Sequence, residues 1–206
     1  MTNRACRREV AFTLVEMLVV IAVIAILAGL LFAVMPAVGR ARVVKTARAE
    51  LTQIQTAIEA YKARHGVYPP STTNANPDVP MGNLPNALYL ELVGTVFANS
   101  AFSTLDGTYS IPAALLPARL GLSGLLNSST SRTATDEKAA PENFLKELKP
   151  TQIGTNNNVR VLVLSEDPTR VWQYNSANPV RNPGGYDLWI WVEAGNRTNL
   201  ISNWNQ

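Results

Sequence analysis

One acid in this sequence sits where chemistry would least expect it. Glu16 stands at the mouth of a run, Met17 to Met35, that contains no charged residue. In a helix those 19 residues rise roughly 28 Å, close to the thickness of a bilayer core. An ionised carboxylate is costly to place in hydrocarbon, so Glu16 asks for a cationic or hydrogen-bonding partner. Other reactive residue types are sparse. His65, the single histidine, falls where an amphipathic stretch ends and would answer a helix dipole as a cation. Gly121 to Gly124, "GLSG", lacks the Gly-x-Ser-x-Gly spacing of a nucleophile elbow and reads as a turn. The sequence holds no Cys/His metal cluster and no phosphate-binding glycine loop. Trp172, Trp189, Trp191 and Trp204 could form a carbohydrate or peptide face, but their alternation along strand-like segments favours core. No catalytic residue is expected.

The element that must position Glu16 is a long helix. Beyond Gly39, Val43, Ala47, Leu51, Ile54, Ile58 and Tyr61 recur every three or four residues and form one stripe. Arg42, Lys45, Glu50, Gln53, Glu59 and Lys62 fall mostly outside it. Gly66 and Tyr68-Pro69-Pro70 stop the helix, and Pro36 should kink it. The reading is one helix from Phe12 to about His65, roughly 80 Å if continuous. Its first half is apolar all round, and its second half is amphipathic.

The remainder reads as a head. Residues 71–86 are a Pro/Asn/Ser/Thr loop. "PNALYLELVG" and "APENFLKELK" suggest short helices, the second presenting Phe144, Leu145 and Leu148. Asn127 to Asp136 reads as a mobile polar excursion. "NVRVLVLSED", "RVWQYN" and "GYDLWIWVEA" carry strand signals separated by turns. They predict three or four antiparallel strands that cover the helical stripe. The expected organisation is a leader at 1–11, a membrane and assembly half-helix at 12–39, an amphipathic half at 40–66, and an α+β head at 67–206. Within that head, residues 77–150 form a variable middle.

Composition narrows the class. The formal charge is +3, but Arg4, Arg7, Arg8 and Glu9 carry +2 of it. Without that leader 15 basic side chains oppose 14 acidic ones. That is no nucleic-acid footprint. The only cysteine, Cys6, lies in the leader and precedes the apolar run, so neither a disulfide nor a lipid anchor is expected. A secretory signal peptide has an apolar core of about 7–15 residues, shorter than this one, although "PAVG" would pass as a cleavage site.

A basic leader, then Ala11-Phe12-Thr13-Leu14-Val15-Glu16, then a bilayer-length apolar helix resembles the amino terminus of type IV pilins and type II secretion pseudopilins. Ala11 stands where that family mostly has Gly. The resemblance extends to the head. Tyr61, Gly66, Tyr68 and Pro69, then Asp167, Pro168 and Trp172, then Tyr186-Asp187-Leu188, then Asn203-Trp204 are similar to the major pseudopilin and its relatives. Three extra residues separate Asp167 from Trp172 relative to "Asp-Pro-Trp-Gly". The middle region has no counterpart, so the resemblance covers about half the chain.

The resemblance implies a pilin-like α+β fold, a long helix packed on a small antiparallel sheet. It implies cleavage between Ala11 and Phe12 by prepilin peptidase, N-methylation of Phe12, and an assembly role for Glu16 beside a neighbour's amino terminus. Implied partners are copies of the chain, other pilin-like subunits and an inner-membrane assembly platform. Basic residues flank both ends of the apolar run, so charge leaves orientation open; the resemblance places the amino terminus in the cytoplasm and the head in the periplasm. Major pseudopilins bind calcium in the loop before the terminal Asn-Trp. Here that loop offers Glu193 as its only acid, with Asn196 and Asn199, so closure by Asn hydrogen bonds is the expectation and no cofactor is expected. The leading function is a pseudopilus subunit for protein export. The alternatives are a type IV pilus subunit for adhesion, motility or DNA uptake, and a single-span membrane-anchored binding module or enzyme.

Overall fold

A computed structural model describes residues 13–71, 77–78, 84–133, 140–195 and 197–205, without the side chains of 31–37. The chain divides into two compact units, Met1–Arg40 and Ala41–Gln206. Helix α1, Leu14–His65, contributes to both. In the first unit it exposes large apolar side chains on every side, from Leu14 and Val15 through Ile21, Ile24 and Ile26 to Leu30. Among the described residues no helix is long and apolar enough to cross a membrane. The side chains of 31–37 lie outside that description, and the expected kink at Pro36 falls among them.

In the second unit the predicted stripe becomes the spine of the core. Ala47, Leu51, Ile54, Ile58 and Tyr61 are all buried, and Val43 packs at the margin. Around them lie, among the described residues, helix α2, Leu88–Val93, helix α3, Leu115–Leu120, and ten strands. Strands β1 (Thr95–Ala98), β2 (Ala101–Thr104), β3 (Ser110–Pro112) and β4 (Ser128–Ser129) form a sheet ordered β3-β2-β1-β4. Strands β5 (Ile153–Asn156), β6 (Val159–Leu164) and β7 (Asp167–Val171) form a second. Strands β8 (Gln173–Asn175), β9 (Asp187–Ala194) and β10 (Arg197–Ser202) form the third, ordered β10-β9-β8. All pairings are antiparallel except β1 with β4. This is the α+β architecture expected, with sheets divided more finely than the strand signals implied.

Asn157 and Asn158 both adopt positive φ, 48° and 61°. That is the two-residue turn whose twist suits the β5–β6 hairpin, and Asn tolerates it better than most residues. "RVWQYN" does not form one strand. Arg170 and Val171 end β7 while Gln173 begins β8 in another sheet, so the chain changes sheet at Trp172, which is fully buried.

Three expectations are corrected. Residues 141–149 form no helix. Pro141 and Pro150 bracket the segment, the Asn143 side chain bonds the Leu145 amide at 2.8 Å, and the Phe144 amide goes to the Leu92 carbonyl at 2.8 Å. Leu145 is nevertheless buried, with Phe144 and Leu148 against the core. Asn127 and Ser129, assigned to a mobile excursion, are buried, and Ser128–Ser129 pairs with β1. Glu50, placed on the polar side of the stripe, is buried. Its carboxylate accepts from the Ser165 amide at 3.1 Å, the Ser165 hydroxyl, and Trp172 Nε1 at 3.4 Å.

Each large buried side chain of the stripe, Leu51, Ile54, Ile58 and Tyr61, is worth roughly 1.5–3 kcal/mol, and together they rival a small domain's whole stability. A fragment starting at Arg40 is therefore expected to melt cooperatively, and one starting at Ser71 is not. Equal cooperative transitions by circular dichroism would contradict this packing.

Candidate functional site

The amino-terminal motif is built on local capping. Helix α1 begins at Leu14, and its first amide groups lack intrahelical partners. Glu16 Oε2 accepts from the Thr13 amide at 2.9 Å and the Thr13 hydroxyl at 2.8 Å, while the Glu16 amide donates to Thr13 Oγ1 at 3.2 Å. This is a reciprocal capping box of the Thr-x-x-Glu type. The signal was present in "TLVE", but reading Glu16 as an acid in search of a distant partner passed over it. The carboxylate is thus exposed and locally held, and among the described residues no cation contacts it. Ala11 and Phe12 lie outside the described residues.

At the other end of the sequence, several of the positions named in the resemblance lie close together. The Asp187 carboxylate is completely buried and accepts three backbone amides, Val180 at 2.6 Å, Arg181 at 2.9 Å and Asn182 at 2.8 Å. One acid therefore shapes the 180–187 loop. Asn203 donates to the Tyr186 carbonyl at 2.8 Å and accepts the Leu188 amide at 3.0 Å, which closes the carboxy terminus onto β9. Tyr68, just past α1, meets Tyr186 edge-on with centroids 4.9 Å apart, and Tyr174 donates its hydroxyl to the Pro69 carbonyl at 2.9 Å. Trp204 rests on Trp189 at 5.9 Å. Trp172 and Trp189 are core residues, and Trp191 and Trp204 are half-buried.

The two described calcium candidates, Glu193 and Asn199, do not converge. Calcium takes six to eight oxygens. Glu193 is already bound to Arg170, Nη2 to Oε1, at 2.7 Å. Glu193 pairs across the hairpin with Thr198, and Asn199 pairs with Val192. Successive residues alternate faces, so Glu193 and Asn199 project to opposite sides. Asn196 lies outside the described residues. No group of three His, Cys, Asp or Glu among the described residues could hold a metal. Glu193 and Asn199 as described do not form a ligand set for the ion.

His65 is not the dipole-answering cation expected at a helix end. Its ring stacks on Tyr61, centroids 4.4 Å apart, and meets Phe144 edge-on at 6.0 Å. Burial, reinforced by Arg64 and opposed by Glu142, pulls the imidazole below its ordinary 6.5, which favours the neutral ring at pH 7.

A buried polar site invisible to periodicity lies beside it. Glu91, on α2, is fully buried. Its carboxylate accepts from the Tyr61 hydroxyl at 2.9 Å, the Leu126 amide at 2.8 Å and the Asn127 amide at 2.9 Å. Asn127 in turn donates to the Glu91 and Glu142 carbonyls at 2.7 and 2.6 Å and accepts the Glu142 amide at 2.9 Å. Gly94, at φ 75°, permits this close approach; a Cβ there would lie 2.8 Å from the Glu142 carbonyl oxygen. The network ties the middle region to α1.

The prokaryotic N-terminal methylation motif matches residues 7–32. The chain therefore carries the type IV pilin and pseudopilin signal, which supports a pilin-like precursor of the kind processed by prepilin peptidase. No curated protein and no solved structure matches it.

Proposed function

We propose that this chain is a structural subunit of a type II secretion pseudopilus, resembling the major pseudopilin. In this reading the apolar first part of α1 holds the subunit in the inner membrane, with its amino terminus cytoplasmic and its head periplasmic. Prepilin peptidase cuts before Phe12, the new amine is methylated, and an assembly platform extracts the subunit into a helical filament. The observation that carries the reading is the methylation motif at residues 7–32, within which begins a helix whose apolar side chains are exposed all round. Such a surface needs a lipid or protein environment. The choice of pseudopilus over true pilus rests on the sequence resemblance at Tyr68, Tyr186, Asp187, Leu188 and Asn203, positions that lie close together in the head. The reading assigns the chain no catalysis, no cofactor and no nucleic-acid partner.

Deletion and complementation separate the filament systems. Loss of the subunit should trap exported proteins in the periplasm. Intact export with loss of surface pili, adhesion or DNA uptake would favour the type IV pilus. Retention of both, with no filament containing the subunit, would favour a membrane-anchored binding module or enzyme.

Processing gives a direct test. The mature chain should begin at Phe12, N-methylated, with 195 of the 206 residues remaining after the first 11 are removed. Intact-mass and amino-terminal peptide spectrometry would decide it. A mature start at Arg40, or a retained Met1, would overturn this assignment.

A further inference from the structure

The β9–β10 hairpin is fastened to β7, a strand of a different sheet, by one positive charge. Arg170 lies on β7 with its side chain only 10% exposed. Its Nη2 donates to Glu193 Oε1 on β9 at 2.7 Å, and its Nε lies 3.4 Å from Asp167 Oδ2. Asp167 is itself fixed, because Thr169 donates its amide and hydroxyl to Oδ1 at 3.1 and 2.6 Å while Oδ2 faces the guanidinium. Two carboxylates from separate strands therefore converge on a nearly buried cation.

We propose that the Arg170 guanidinium is the built-in counter-ion of Asp167 and Glu193, so that this end of the head is fastened by a tethered cation and without metal. The chemistry favours it. A guanidinium stays charged at every working pH and presents a rigid fork of donors suited to carboxylates. Being tethered to β7, it loses little freedom on docking, whereas a free ion must be captured from solution. A calcium site needs several more oxygens than these two side chains supply. Removing the arginine would leave two acids facing each other, which disfavours the closed hairpin. The inference holds whichever filament the subunit enters.

The test uses the full chain in detergent micelles. Thermal melting followed by tryptophan fluorescence should be unchanged by EDTA and by added calcium chloride. Arg170→Met, which keeps much of the stem and removes the charge, should speed amide hydrogen exchange across β9 and β10 by about tenfold, the scale of a lost hydrogen bond to a charged group. Arg170→Lys should restore part of that protection, since an ammonium keeps the charge without the fork. If Arg170→Met fails to fold, Glu193→Gln provides the same readout from a side chain that is 48% exposed, and hairpin exchange should again rise. A wild-type melting point lowered by EDTA and restored by calcium would overturn the proposal. So would wild-type hairpin exchange in Arg170→Met, or in Glu193→Gln where that variant stands in for it.

Discussion

Glu16→Ala is expected to abolish filaments while the processed subunit persists in the membrane. Insertion should be unaffected or improved, because an ionisable group leaves an apolar helix. Cleavage should continue, because Ala11 and Phe12 are untouched. Assembly should fail if the carboxylate is the counter-charge for a neighbour's amino terminus, since burying one charge without its partner is strongly unfavourable. The capping box supplies a second role that must be separated from the first. Gln serves at this capping position as Glu does, so Glu16→Gln keeps the helix start and removes only the charge. Thr13→Ala does the reverse. The counter-charge role predicts no filaments from Glu16→Gln and retained assembly from Thr13→Ala. The readouts are sheared filaments by microscopy and membrane levels of processed subunit. Normal filaments from both Glu16→Ala and Glu16→Gln would show that the acid has another purpose.

Glu91→Ala is expected to be the most damaging single change in the head. It strips the acceptor from the Tyr61 hydroxyl and from the Leu126 and Asn127 amides at once. A buried donor left unsatisfied costs about 1–3 kcal/mol. Three of them approach a typical domain stability of roughly 5–15 kcal/mol. Tyr61→Phe removes one of the three bonds and leaves the carboxylate its two amides, so it should cost only about 1–2 kcal/mol. Urea denaturation of the Arg40–Gln206 fragment should rank wild type, Tyr61→Phe and Glu91→Ala in that order. Equal midpoints would contradict the network.

Glu91 also predicts a pH dependence. Burial raises its carboxyl above the ordinary 4.5, outweighing the bonds from Asn127, Leu126 and Tyr61 that lower it. The folded chain therefore holds the proton more readily than the unfolded chain. The resulting stabilisation is fully present below the unfolded value and is lost as pH rises through the raised folded value. The stability difference between wild type and Glu91→Gln should shift in favour of wild type as pH falls through that window. A difference constant with pH would refute it.

Local order was legible wherever the physics is local. The stripe through Ala47, Leu51, Ile54, Ile58 and Tyr61 follows from 3.6 residues per turn. The strands at Val159–Leu164 and Asp187–Ala194 follow from β-branched and aromatic residues between turns. The processing signal is a contiguous string, and so is the capping box within it. Tertiary structure alone decided which polar groups became structural. Glu50 lies one position from Leu51, and a serine and a tryptophan 115 and 122 residues away turn it inward. Glu91 reads as an exposed helical acid until amides 35 and 36 residues later close on it. Pro141 to Lys149 has the composition of a helix, yet its backbone bonds are spent on α2 and on Asn127. Glu193 looks like a metal ligand until β7 brings Arg170 against it. Periodicity reports where apolar surface must go, because burial scales with area along one element. A buried charge is stable only beside specific partners, and in this chain the fold draws those partners from distant positions.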